Sequence, residues 1–259
     1  MTSIVHELYQ YREMISNLVR KDLRGRYKGS FLGFLWTFIN PLLQLAVYTM
    51  VFSVILRAGI DKYYLFLFVA LIPWIFFANS LSGGAGLMIR EKNLVTKIYF
   101  PREVLPVAFV TTNFVNMLYS FVIVLLAVWF LGDNLNILAW FCLPLIMAIE
   151  YLFSLGCTLL ACAITVYLRD LEHILGIVTM AWQFLTPVMY SADMVPEELM
   201  PVFLLNPMTS IIVAYRDVLY YGRIPALETL LMPLFVSVIV LAAGEIVFRK
   251  LQRGFAEEL

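Results

Sequence analysis

Ionisable side chains are scarce in this sequence, and their spacing limits the chemistry it can perform. Glu150 stands alone inside the apolar stretch 134–168. Glu245 lies four residues before Arg249, close enough to pair with it across one helical turn. No two acids share close helical spacing within an apolar run, so an intramembrane hydrolase or metal-dependent phosphotransferase would lack its carboxylates. His6 and His173 are far apart, and no HExxH zinc pattern occurs. Cys142, Cys157 and Cys162 sit in apolar runs without metal or disulfide spacing and read as small core side chains. The GxxxxGK[ST] loop that cradles nucleotide phosphates is absent from the sequence. For Glu150 two readings stand, a residue facing a wet interior or substrate, and a protonated carboxyl hydrogen-bonded to a neighbour.

What positions these residues is a membrane. The chain is 62% hydrophobic and 14% charged, with a mean hydropathy of +0.87. A soluble fold could not cover that much apolar surface. Net charge is zero, so no basic field points to nucleic acid. Measured against the roughly 20 apolar residues a spanning helix needs, the runs predict six crossings, at about 31–56, 63–88, 104–131, 137–168, 172–191 and 229–248. The expected fold is therefore all-α, one transmembrane domain over 1–259. With the N-terminus inside, 14 of the 18 lysines and arginines fall in cytoplasmic segments, which puts both termini in the cytoplasm. No short apolar leader with a cleavage site opens the chain, so the N-terminus is expected to be retained.

Three segments between the runs carry pattern. Within 1–28, Ile4, Leu8, Tyr11, Ile15 and Leu18 share a helical face too short to span, followed by Arg20, Lys21, Arg24, Arg26 and Lys28. It reads either as an amphipathic interface helix on the inner leaflet or as an ordinary positive-inside flank. The stretch REKNLVTKIYFPREVLP follows the second run; within 90–103, Leu94, Val95, Ile98 and Tyr99 are expected on one face of a short helix closed by Phe100 and Pro101. A plain charged loop that only sets topology is the alternative. In the external segment 195–222, Asn206 is suited to cap a helix, Pro207 to begin it and Gly222 to end it. About 15 residues give roughly 22 Å, too short to cross, so two re-entrant helices forming an outer gate are expected, with Tyr215 and Arg216 among their residues.

Aromatics make up 15% of the chain. Phe34, Phe38, Tyr48 and Phe52 share a face with Pro41 and Leu45, and Trp182 and Tyr190 share another through Thr186. Such rings can stack on sugars without holding an ion; interfacial belts and core packing explain the same pattern.

Four stretches, RYKGSFLGFLWTFINPLLQLAVYTMVFS (26–53), IPWIFFANSLSGG (72–84) leading into NLVTKIYFPREVLP (93–106), YLRDLEHILGIVTMAWQFLTPVMYSADMVP (167–196) and LNPMTSIIVAYRDVLYYG (205–222), resemble the permease subunits of ABC exporters for cell-surface polysaccharides, among them O-antigen, capsule and teichoic-acid exporters. The resemblance implies a homodimer of permeases in the bacterial plasma membrane joined to two copies of a separate ATP-binding subunit, which would hold ATP and Mg; no cofactor is expected in this chain. It implies that Leu94, Val95, Lys97, Ile98, Tyr99, Phe100, Pro101, Arg102 and Glu103 form the coupling helix that meets the ATPase. The cargo it implies is a polymer on undecaprenyl diphosphate, met by Arg24, Arg26 and Lys28, with teichoic acid slightly favoured. A rival class is an ATP-independent flippase, in which Glu150 would serve ion coupling.

Overall fold

Residues 2–25, 29–57 and 59–259 are described by the computed structural model, with backbone alone at 2–5 and 256. Every regular element among them is helical. The N-terminal segment forms α1 (Thr2–Gln10) and α2 (Arg12–Gly25). Their apolar face has found protein: Leu8, Tyr11, Ile15 and Leu18 are half-buried against the core, and α2 lies along a later helix, α7 below. Arg24 is exposed at the end of α2, while Arg26 and Lys28 lie outside the described residues.

The first long run becomes α3 (Trp36–Thr49), lengthened by a 3-10 turn at Gly33–Leu35 and a π-helical end at Met50–Ile55. Next comes α4 (Tyr63–Ala85), whose residues are apolar on all sides; such a helix belongs in the middle of a bundle, and 78% of its spanning window is buried. The charged connection holds α5 (Leu87–Arg90) and α6 (Lys92–Lys97). Then α7 (Val104–Leu131) begins and ends where the apolar run does. The fourth run divides into α8 (Ile137–Trp140) and α9 (Leu143–Tyr167).

The segment expected as the fifth crossing, 172–191, is helical only over α10 (Leu171–Phe184). Its 14 residues rise about 21 Å, short of the roughly 30 Å hydrocarbon core. Pro187 explains the stop, since it lacks an N–H and disfavours helical geometry at Thr186. Five helices among the described residues are long and apolar enough to cross a membrane: Gly33–Ile55, Tyr63–Ala85, Val104–Leu131, Ile137–Tyr167 and Leu227–Gly254.

Two short helices follow α10 as expected, α11 (Met200–Leu205) and α12 (Pro207–Leu219). The chain closes with α13 (Leu227–Leu251) and α14 (Phe255–Glu258). Helices α9 and α13 touch backbone to backbone: a Cβ on Gly156 would lie 2.6 Å from the Leu241 nitrogen, and one on Gly244 would lie 2.5 Å from the Gly156 carbonyl. Small residues permit such approach between membrane helices, where dispersion rather than water drives association.

Candidate functional site

At one end of the bundle, the connection between α4 and α7 departs from the expected single apolar face. The α6 helix stops at Lys97, and Ile98 is already extended at φ −123°, ψ 135°. Val95 and Phe100 turn inward, 4% and 7% exposed, with Leu94 half-buried, whereas Ile98 is 54% and Tyr99 100% exposed. The expectation that Leu94, Val95, Ile98 and Tyr99 share a face is thus corrected. The core captures Val95 and Phe100 from opposite sides of the break, and Pro101 opposes continued helix at Phe100. Ile98 and Tyr99 are left projecting. Lys97 is exposed, Pro101 and Arg102 are half-buried, and Glu103 is buried.

Beside them opens a groove of about 900 Å³, lined by Glu7, Gln10 and Tyr11 from the N-terminal segment, residues 95–103, and Arg249, Gln252 and Arg253 from the last helix and the turn after it. Arg249 joins these walls. Its guanidinium lies 3.3 Å from Glu7, 3.5 Å from Glu103 and 3.4 Å from Glu245, the last being the pair its spacing predicts. Gln252 Nε2 donates to Glu103 Oε1 at 2.9 Å, and Arg102 donates to the Gln252 carbonyl. Arg90 reaches Glu172 on α10 at 3.3 Å, and Lys21 on α2 reaches Glu91 at 3.6 Å. The connection is therefore tied to α2, α10 and α13 at once.

At the other end, α12 is buried nearly throughout. Asn206 caps it, its Oδ1 accepting from the Met208 N–H at 3.1 Å, with Pro207 in the first turn as expected. The same Oδ1 accepts from Trp182 Nε1 at 3.1 Å, and Asn206 Nδ2 donates to Thr186 Oγ1 at 2.9 Å, so one side chain joins α12 to the end of α10. Arg216 is 3% exposed. It donates to the carbonyls of Pro187 (2.5 Å), Val188 (2.6 Å) and Tyr190 (3.1 Å), and its guanidinium carbon sits 3.6 Å from the Phe66 ring centroid. Tyr215, fully buried, donates to Glu150 Oε2 at 2.7 Å. Tyr215 and Arg216 thus face the interior of this chain and fasten α12 to α9, α4 and the turn after α10. Gly222 ends the segment with φ +64°, and a Cβ there would collide with the Asn134 carbonyl at 2.0 Å.

Much of the aromatic set packs against other rings of the chain, although Phe34 stays 46% exposed. Phe38 and Tyr119 meet Phe34 edge-on at 5.3 and 5.1 Å, Phe52 stacks on Tyr63 at 6.2 Å, and Trp182 meets Phe77 at 5.1 Å. Tyr190 donates its hydroxyl to the Phe184 carbonyl. Tyr48 borders an open groove between α3, α4 and α10. The face holding Pro41 and Leu45 is the one α3 presents to its neighbours.

Sequence reading passed over Glu7, Arg90, Glu172 and Gln252, whose partners lie 82 to 242 residues away. No local spacing could have disclosed them. It also passed over Asn40 and Gln44, although amides every fourth residue within an apolar run are a visible signal.

Comparison with known proteins adds the lineage. The family model described as ABC-2 type transporter matches residues 13–220. The O-antigen export system permease protein RfbA of Myxococcus xanthus is 38% identical over the whole of both chains. Its namesake from Klebsiella pneumoniae is 30% identical over 95% of each. The polysialic acid transport protein KpsM of Escherichia coli is 20% identical over 81% of this chain and 82% of its own.

Proposed function

Since this chain belongs to the ABC-2 type transporter family, a family of multi-pass membrane proteins, we propose that it is the permease subunit of an ATP-driven exporter of cell-surface polysaccharide. Two copies would form the conduit, each joined to a separate ATP-binding subunit on the cytoplasmic side, where both termini lie. The cargo would be a glycan on undecaprenyl diphosphate, carried from the inner to the outer face of the plasma membrane. The observation that carries this reading is end-to-end identity of 38% to a protein named as an O-antigen export permease. The names of the relatives favour O-antigen or capsule over the teichoic acid that the sequence reading leaned toward.

The geometry fits such a division of labour. A subunit without a phosphate loop must receive force through contact, and exposed Ile98 and Tyr99 beside a groove of about 900 Å³ offer a place for it. Force applied there would reach α2, α10 and α13 through Lys21, Arg90 and Arg249. Arg24, with Arg26 and Lys28, would meet the lipid diphosphate as charge partners. The short helices α11 and α12 would close the outer mouth at rest, Arg216 holding them to the turn after α10. The flippase alternative is weakened by the burial of Glu150 against Tyr215, since a sealed carboxyl is poorly placed to exchange ions with water.

The test is purification from the native membrane followed by reconstitution. An ATPase bearing a GxxxxGK[ST] loop should come with the chain, and glycan should cross proteoliposomes only when ATP is supplied. Transport by the purified chain alone, without nucleotide, would sink the reading.

A further inference from the structure

Thr112, Thr158, Thr165 and Thr179 each donate the hydroxyl to the carbonyl four residues back, the ordinary resting place for such a group inside a helix. Thr209 lies in the first turn of α12 and has no turn of its own helix behind it. The residue is 2% exposed, and its Oγ1 is buried without a hydrogen-bond partner among the described residues. A hydroxyl so placed costs free energy unless something from outside the chain meets it. Thr209 lines a pocket of about 440 Å³ between α11, α12 and the start of α13, beside the turn after α10.

The walls are mainly apolar, with Val195, Met200, Phe203 and Met232 among them. The polar groups are three hydroxyls, of Thr209, Ser210 and Thr229, and the carboxylate of Glu228. Along α13 from the pocket, Leu231 and Phe235 are exposed, so the apolar surface continues onto the outside of the bundle. A mainly apolar pocket with a few hydrogen-bonding groups suits an amphiphile better than an ion or a free sugar.

Charge selects the kind of amphiphile. Glu228 is exposed, is the one ionisable group on the walls, and forms no ion pair among the described residues. The stretch 191–215 carries Asp193, Glu197 and Glu198 and no lysine or arginine. The next two arginines are taken, Arg216 by backbone carbonyls and Arg223 by Asp217 at 2.7 Å. An anionic headgroup would meet only carboxylates here, whereas an ammonium would find one to pair with.

We propose that this pocket binds a membrane phospholipid with a primary-amine headgroup. Its ammonium pairs with Glu228, its phosphate and ester oxygens accept from Thr209 and Ser210, and a chain lies against Met200, Phe203 and Met232. The site requires only a membrane protein; that the lipid comes from the outer leaflet rests on the exporter reading above.

The test uses the complete transporter in nanodiscs of phosphatidylcholine, whose quaternary ammonium has no N–H to donate. They are doped with phosphatidylethanolamine carrying a diazirine in one acyl chain, and crosslinked peptides are mapped after illumination. Crosslinks should fall within 192–213 and 228–235, and unlabelled phosphatidylethanolamine should displace them where phosphatidylglycerol does not. Glu228→Gln, at an exposed position, should cut labelling about threefold or more. Ala192→Phe, placing a ring in the pocket, should abolish it. Thr209→Val should lower labelling while the delipidated complex melts at or above the wild-type temperature, because the hydroxyl removed serves no partner in the chain. A lowered melt with unchanged labelling would overturn the role of Thr209. Displacement by phosphatidylglycerol as readily as by phosphatidylethanolamine would overturn the headgroup. Crosslinks on the outward face of α7 and none at the pocket, the outcome if a second copy covers it, would overturn the site. Binding is read without transport, so a complex that exported no glycan would sink the exporter reading and leave the lipid site standing.

Discussion

Arg216 gives its donors to backbone carbonyls in a site 3% exposed, whereas Arg249 holds three carboxylates and keeps a side chain 36% exposed. The two arginines sit at opposite ends of one bundle and fasten it differently. Carbonyls cannot change charge, and burial strengthens each bond to them, so the α12 end behaves as a latch of fixed strength. The pairs of Arg249 are partly wetted, individually weak, and shared among α1, α13 and the start of α7. A joint of several weak contacts can re-form in a second arrangement at little cost. Such a joint suits an end that receives force, and a latch suits an end that must stay shut until force arrives.

Substitutions can break this contrast, beginning with the largest effect. Arg216→Met strands the carbonyls of Pro187, Val188 and Tyr190 and should destabilise the detergent-solubilised protein by about 3 kcal/mol, read as a lowered melting temperature. Arg216→Lys should recover only part, because an ammonium lacks the planar fork. A wild-type melt for Arg216→Met would remove the latch from the comparison. Tyr215→Phe deletes the hydrogen bond that Tyr215 donates to Glu150 and should cost about 1 kcal/mol in the same measurement.

Arg249→Ala should cost about 1 kcal/mol of stability, because Arg249 and Glu7 are partly wetted and buried Glu103 keeps Gln252 as a donor, yet raise the ATP hydrolysed per glycan exported. Equal loss of hydrolysis and export would argue against a transmission role. Smallest in stability is the pair Ile98→Ser and Tyr99→Ser, expected to stay within about 0.5 kcal/mol of wild type because both side chains are exposed. Its effect should appear instead as loss of the ATPase from the purified complex, and full retention would move the docking surface elsewhere.

Much of the architecture was readable before any coordinates. The run 104–131 became α7 without a shift, and Asn206 and Pro207 opened α12 as their chemistry requires. These features depend on neighbours within a few residues, through the apolar length that spans a bilayer and the unpaired N–H groups that a cap satisfies. Legibility failed where two local rules gave different answers. Over 94–100, helical periodicity predicted one apolar face, but Pro101 and the core divided it, sending Val95 and Phe100 inward and Ile98 and Tyr99 outward. The aromatic stripe of α3 was real as a stripe, and packing then turned most of it toward α4 and α7.

The sequence by itself determined an all-helical membrane chain, without a nucleotide loop of its own, carrying patterned segments between its apolar runs. Hydrophobic length and the absence of a motif are properties of a string and need no partner to be read. Only the tertiary structure decided that Arg216 closes on carbonyls, that Arg249 gathers Glu7, Glu103 and Glu245, and that Asn40, Gln44, Asn79 and Gln183 meet around one groove. Those residues come from elements far apart along the chain. A polar side chain buried among apolar helices has few places to satisfy itself, and which of them it takes depends on how the helices pack.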